Sequence, residues 1–140
     1  MPGSRTELRL RAPVEPACLD RTHELLDQLW LEQPDVAETD KIMFSTAVLE
    51  VANNIVSHGA GGTVSIVLQG DARQLEAQFC DDGTAVEVDL DAAALPDDLA
   101  ESGRGLALVR MAVDEFSYRH SDGFSCWHLV RHRSGSRRGG

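Results

Sequence analysis

Apolar positions alternate in some stretches of this chain and recur every third or fourth residue in others, and the switches between the two periods mark its elements. Glu7 to Ala12 alternates, which predicts a strand with Leu8 and Leu10 inward. Pro13 and Pro16 punctuate it. From Glu15 to Leu31 the set Leu19, Leu25, Leu26, Leu29 and Trp30 is helical in period, with Glu15 suited to the first turn. Gln33-Pro34-Asp35 closes that helix, and either Asp35 or Thr39 suits the cap of the next. The second helix runs to His58, and Gly59 suits the left-handed conformation that ends a helix. Its Phe44, Ala47, Val48, Val51 and Ile55 fall in a stripe roughly 100° wide, which predicts packing on a sheet. Glu50, Asn54 and Ser57 lie together at one edge of that stripe. Asn53 lies about 180° from its centre and is predicted to face solvent.

Beyond Gly59-Ala60-Gly61-Gly62 the period drops to two. Thr63–Gln69 and Gln74–Cys80 read as strands with a short hairpin connection, and Asp81-Asp82-Gly83 ends the second. Val86 to Ser102 has no clear period and carries six acidic residues with no basic one, a pattern shared by lids and by solvated acidic loops. Gly103 to Asp114 begins with glycines and continues as a helix whose Leu106, Val109, Met111 and Val113 give it a mostly buried character. Two strands follow, Glu115–His120 and Phe124–His132, joined at Ser121-Asp122-Gly123. Arg131, His132, Arg133, Arg137 and Arg138 read as a solvated basic tail, frayed from Ser134 onward. The order β-α-α-β-β-lid-α-β-β predicts an α+β fold. It is a two-layer α/β sandwich, its mixed and mostly antiparallel sheet carrying the helices on one face.

Composition narrows the classes. With 140 residues the chain is expected to form a single domain, its core about residues 5–132. A formal net charge of −10 excludes a general nucleic-acid binder and fits a protein that meets other proteins. The absence of a long apolar run and of an N-terminal signal pattern predicts a cytoplasmic protein without a membrane span. Cys18, Cys80 and Cys126 are odd in number and not in metal spacing, so free buried thiols are expected. His58, in a last helical turn, reads as a partner of the terminal carbonyls, and Trp30 and Trp127 as core or interface aromatics.

Three stretches carry candidate chemistry. Glu50 and Asn54 are neighbours on one helix face, which taken alone reads as an ordinary solvated edge and gains a functional meaning only with partners elsewhere in the chain. Asp81 at a strand end can accept a hydrogen bond from an exocyclic amine such as that of adenine. Gly83, two residues on, lets backbone approach the base. Gly103-Arg104-Gly105-Leu106 at a helix start offers main-chain N–H groups and a planar cation to phosphate. Asn54 supplies a neutral oxygen for Mg²⁺, and Glu50 a general base for a hydroxyl or water. Gly103-Arg104-Gly105 is neither a dinucleotide fingerprint, lacking the leading βαβ unit, nor a Walker A loop, lacking Gly-Lys-Ser/Thr.

Glu50-x-x-x-Asn54, Asp81-x-Gly83 and Gly103-x-Gly105-Leu106, in that order, resemble the N, G1 and G2 boxes of the GHKL (Bergerat-type) ATPase superfamily. The short chain and the Asp-Asp-Gly-Thr wording narrow the likeness to the bacterial anti-sigma factor serine/threonine kinases of partner-switching modules. It covers roughly residues 5 to 132. The resemblance implies ATP and Mg²⁺ as cofactors, Glu50 as catalytic base and Asn54 as the metal ligand. It implies Asp81 with Gly83 at the adenine, residues from about 84 to 102 as a mobile ATP lid, and Gly103, Arg104, Gly105 and Leu106 over the phosphates. Ser125 is a further candidate for a strand hydroxyl in the nucleotide site. The implied partners are a small STAS-type anti-sigma-factor antagonist, phosphorylated on serine or threonine, a sequestered sigma factor, and a second copy in a homodimer. Ala85 stands where the G1 box often has a second glycine, and Val86 where an aromatic is common, which leaves ATP binding expected and the rate of transfer open. The alternative is a nucleotide-binding interaction module that regulates a protein partner without phosphoryl transfer. A sensor histidine kinase domain would instead require a phosphorylatable helical hairpin upstream of residue 5.

Overall fold

A computed structural model of the chain describes residues 4–58, 62–82 and 100–134, with the side chains of 58 and 100–105 outside the description. The elements are β1 (Thr6–Pro13), α1 (Ala17–Glu32), α2 (Glu38–His58), β2 (Thr63–Gly70), β3 (Gln74–Asp81), α3 (Ala100–Ala112), β4 (Glu115–Ser121) and β5 (Phe124–His132). They follow the predicted order. The strands form one sheet, β1-β2-β3-β5-β4, and every neighbouring pair is antiparallel. Gly83, Ala85, Val86 and most of the expected lid lie outside the described residues, as do Gly59, Arg137 and Arg138.

The alternation read from sequence decides which face is covered. Leu8 and Leu10, Val64, Ile66 and Leu68, Leu75, Ala77 and Phe79, and Trp127 and Leu129 form one apolar face. Arg9, Arg11, Ser65 and Gln78 point the other way, exposed. The helices cover the apolar face. On α2 the predicted stripe is fully buried and Ala52 widens it, while on α1 Cys18, Thr22, Leu26 and Leu29 face inward. Trp30 packs edge-on against Phe44 at 6.1 Å between ring centroids, and Trp127 is wholly buried, so both aromatics serve the core. Met111 of α3 is exposed, contrary to expectation, because 100° per residue carries it away from the buried Val109 and Ala112.

Neither Asp35 nor Thr39 caps α2. The helix begins at Glu38, and Lys41 N–H bonds the Ala37 carbonyl at 3.0 Å, which puts Ala37 at the cap position. The terminus is held instead by tertiary contacts around Asp40, whose side chain is 1% exposed. Asp40 accepts from Arg131 Nε at 2.9 Å, from Ser134 N–H at 2.8 Å and from the Ser134 hydroxyl at 2.9 Å. Arg131 also donates to the Ala112 carbonyl at the end of α3, at 2.7 Å. Arg133, 9% exposed, donates to the Asp71 carbonyl at 2.7 Å. The start of the basic tail is therefore a structural clasp and not a solvated end, because it lies where two helix termini and a hairpin turn offer acceptors.

The cysteines also depart from expectation. Cys80 and Cys126 are directly opposed on β3 and β5, with Cα atoms 4.1 Å apart, and form a disulfide. Only Cys18 is free among them; it is buried, and burial pushes its thiol pKa up. A separation of 46 residues hid the pairing from any reading by spacing, since sheet register alone brings the two together.

Candidate functional site

Inward positions of β3 and β5 stack in pairs: Ala77 against Leu129, Phe79 against Trp127, then Asp81 against Ser125. The first two pairs are core. The third replaces apolar side chains with a carboxylate 4% exposed and a hydroxyl that is wholly buried. A buried carboxylate at the end of an apolar row needs polar company, so this is where the core ends and a polar site begins. Asp82, the next residue, turns away from the site. Its Oδ1 accepts from Thr63 N–H at 2.7 Å. Gly62 lies against it with φ of +91°, and any Cβ there would overlap Asp82 Oδ1.

Ser125 is held from the neighbouring strand. The Tyr118 hydroxyl donates to Ser125 Oγ at 3.1 Å, and His120 Nδ1 lies 2.9 Å from the same oxygen. The Tyr118 ring rests on Trp127 at 4.4 Å between centroids, and Phe116 stacks on the same indole at 6.0 Å. Neither Tyr118 nor His120 was singled out from sequence. The signal was present: a two-residue turn at Asp122 (φ 54°) and Gly123 (φ 82°) sets the hairpin register, which places His120 opposite Ser125.

Helix α2 packs against α3, β3 and β5, and it brings the polar edge of its stripe into the same layer. Asn54 is 5% exposed although it is polar, and Asn53 is exposed, as the helical period predicts. Asn54 Nδ2 donates to the Glu50 carbonyl one turn back at 2.9 Å, so Oδ1 is the end of the amide turned away from the helix backbone. Glu50 is half-buried, and Ser57, expected at the same edge, is exposed. A carbonyl oxygen fits a hard cation such as Mg²⁺. Among the described residues no cluster of three His, Cys, Asp or Glu side chains is placed to hold a metal, so an ion here would depend on phosphate oxygens and water for its remaining ligands.

The third candidate stretch is displaced from its expected place in its helix. α3 begins at Ala100, so Gly103 and Gly105 lie inside its first turns and do not open it. Ala100, Glu101 and Ser102 are compatible with helix and extend it upstream. Leu106 is buried in the core, where it anchors α3 beside α2. The Arg104 side chain and Gly83 lie outside the description.

Residues 13–130 match the model of the histidine kinase-like ATPase domain. No curated protein sequence matches the chain significantly. Among solved structures, the chain is similar to the RsbU and RsbW domains of Rv1364c from Mycobacterium tuberculosis, at 21% identity and a TM-score of 0.62. That match covers 91% of this chain and 32% of the other, so the chain spans about a third of that protein. It is also similar to the histidine kinase AdeS of Acinetobacter baumannii, at 13% identity and a TM-score of 0.50, over 89% of this chain and 68% of that one. At these identities the likeness is one of fold. Among the described residues no helix is long and apolar enough to cross a membrane.

Proposed function

The chain belongs to the histidine kinase-like ATPase domain family, and on that premise we propose that it is an anti-sigma factor with serine/threonine-protein kinase activity. It binds Mg-ATP, phosphorylates a small STAS-type antagonist and sequesters a sigma factor in a partner-switching module, working as a homodimer. The observation that carries this reading is the coincidence of three motifs with three packed elements. Glu50 and Asn54 lie on α2, Asp81 ends β3, and Gly103 to Leu106 lie in α3, with α2 in contact with both others. The overlap with the RsbW-containing structure from Mycobacterium tuberculosis supports it.

Each residue then has a role. Asp81 accepts the exocyclic amine of adenine, with Gly83 beside it and the Ser125 hydroxyl opposite. Asn54 Oδ1 holds the metal. Gly103, Arg104 and Gly105 face the phosphates, and Leu106 fixes the helix that carries them. Glu50 orients the incoming hydroxyl and takes its proton. Bound Mg-ATP supplies the phosphoryl group and the charge neutralisation that phosphoryl transfer chiefly requires. The test is transfer from γ-labelled ATP to the purified antagonist. Glu50→Ala is expected to keep ATP binding and lose transfer by about 100-fold or more. Transfer that survives the substitution sinks the assignment of the base. A second reading, a nucleotide-binding interaction module without transfer, is favoured by Ala85 at the second glycine position of its motif. Wild-type protein that binds ATP and sequesters its partner without labelling it would establish that reading.

A further inference from the structure

We propose that the outer face of the helical layer, at the end away from Asp81, docks a basic amphipathic helix of a partner protein. Among the described residues five large apolar side chains stand exposed, and four of them are on helices: Leu31, Ile42, Leu108 and Met111. An apolar residue exposed singly needs no explanation, but several gathered on one face mark an interaction surface. Packing gathers these four. Leu31 is in the last turn of α1 and Ile42 near the start of α2, with only residues 33–37 between the two helices. Trp30 against Phe44 ties the helices together there. Arg131 reaches both Asp40, in the first turn of α2, and the Ala112 carbonyl that ends α3, so Met111 comes to the same end. Arg131 pairs with Leu75, which puts this end about 20 Å along β3 from Asp81. At 100° per residue, Leu31, Ile42 and Met111 each lie roughly 160–180° from the centre of their helix's buried stripe. Leu108 is one turn up from Met111.

Charge decides the occupant. Residues 24–42 carry six carboxylates and one cation, Lys41. Asp40 is buried and paired with Arg131, but Glu24, Asp27, Glu32, Asp35 and Glu38 are exposed. None of those five is in an ion pair among the described residues. Glu24 and Asp27 share the outer face of α1 with Leu31, at helical spacing. The exposed apolar side chains are therefore flanked by carboxylates that nothing in the described chain neutralises. A second copy brings the same acidic flank against itself, on a chain whose formal net charge is already −10, so self-association through this face is disfavoured. Nucleic acid and anionic lipid are repelled for the same reason. A basic helix fits in shape as well as charge. Helices α2 and α3 pack side by side, and the furrow between two helices takes the ridge of a third. The apolar stripe of that third helix covers Ile42, Leu108 and Met111, and its Lys or Arg side chains meet the carboxylates. The assignment uses neither Glu50 nor Asp81, so it does not rest on the nucleotide reading.

The probe is a fluorescein-labelled peptide of leucine and lysine, about five helical turns long, with its leucines at helical period. It is titrated with the intact protein and followed by anisotropy. Wild type is expected to bind it at least about tenfold tighter than a peptide of the same composition with the leucines spread round the helix. The same margin is expected over a peptide with glutamate in place of lysine. Ile42→Gln and Met111→Gln, both at exposed positions, should each weaken binding by about fivefold or more, the loss of one apolar anchor. Glu32→Gln/Glu38→Gln should weaken it and flatten its salt dependence. Phe124→Gln, which removes an exposed apolar side chain outside this surface, should leave it unchanged. Equal binding of the two lysine peptides, or an affinity indifferent to Ile42 and Met111, overturns the proposal, since net charge alone then accounts for the attraction. A wild-type dimer in sedimentation that Met111→Gln dissociates also overturns it, by giving the surface to a second copy. Binding to neutral phosphatidylcholine vesicles that the same substitutions abolish overturns it in favour of a membrane.

Discussion

Arg131→Met should destabilise the protein by about 3–5 kcal/mol, the usual consequence of stranding one charge of a buried pair. Asp40 is 1% exposed at its side chain and Arg131 16%, with Nε and Nη2 both 2.9 Å from Asp40 Oδ1. Methionine keeps much of the volume and leaves the carboxylate with only the Ser134 N–H and hydroxyl. It also takes away the donor that closes the end of α3 at the Ala112 carbonyl. Against a total stability of about 5–15 kcal/mol, the loss is a large share. Urea unfolding followed by circular dichroism is the assay, with a lower midpoint and an unchanged slope expected. The double variant Asp40→Leu/Arg131→Met should recover much of the loss, since an apolar pair of similar size needs no desolvation of charge. The pair also sets an acid limit. Burial pushes the Asp40 pKa up, but the hydrogen bonds from Ser134 and the Arg131 guanidinium outweigh it and hold the carboxyl below its ordinary value. Its folded pKa is thus lower than its unfolded one, near 3.9. The stability it contributes is complete above about pH 4 and is lost as pH falls through the folded value. Asp40→Asn should lack that part of the acid transition. A change under about 1 kcal/mol in Arg131→Met, or a double variant no better than the singles, would refute the reasoning.

Other outcomes follow from the same geometry. Asp81→Asn should abolish magnesium-assisted ATP binding in calorimetry, and binding that persists would remove Asp81 from the base site. Cys126→Ser opens a cross-link between residues 46 apart and should lower stability by up to about 4 kcal/mol. A reductant should lower the melting temperature of wild type and leave that of the variant unchanged, and equal sensitivity of the two would speak against the bond. Gly62→Ala, at φ of +91° and against Asp82, should cost about 1–3 kcal/mol, read as a fall in urea midpoint.

Much of the fold was legible because it is written in local period. The strand alternation and the α2 stripe came through, and the wheel that separated Asn54 from Asn53 is borne out by burial of the first and exposure of the second. Legibility failed where no local pattern exists. The start of α3 was misread because glycines usually punctuate helices, whereas here the helix runs through them. The caps proposed for α2 were reasonable residues, but Asp40 and its partners from β5 and beyond hold that terminus instead.

The sequence by itself determined the element order, the covered face of each strand, and the residue types that a nucleotide site requires, because these depend on neighbours within a few positions. Tertiary structure alone decided that Cys80 meets Cys126, that Arg131 reaches Asp40, and that Ser125 stands opposite Asp81. Those contacts join residues 44 to 91 positions apart. The antiparallel register of β3 and β5 brings the two strand pairs together, and the packing of α2 against β5 brings Arg131 to Asp40.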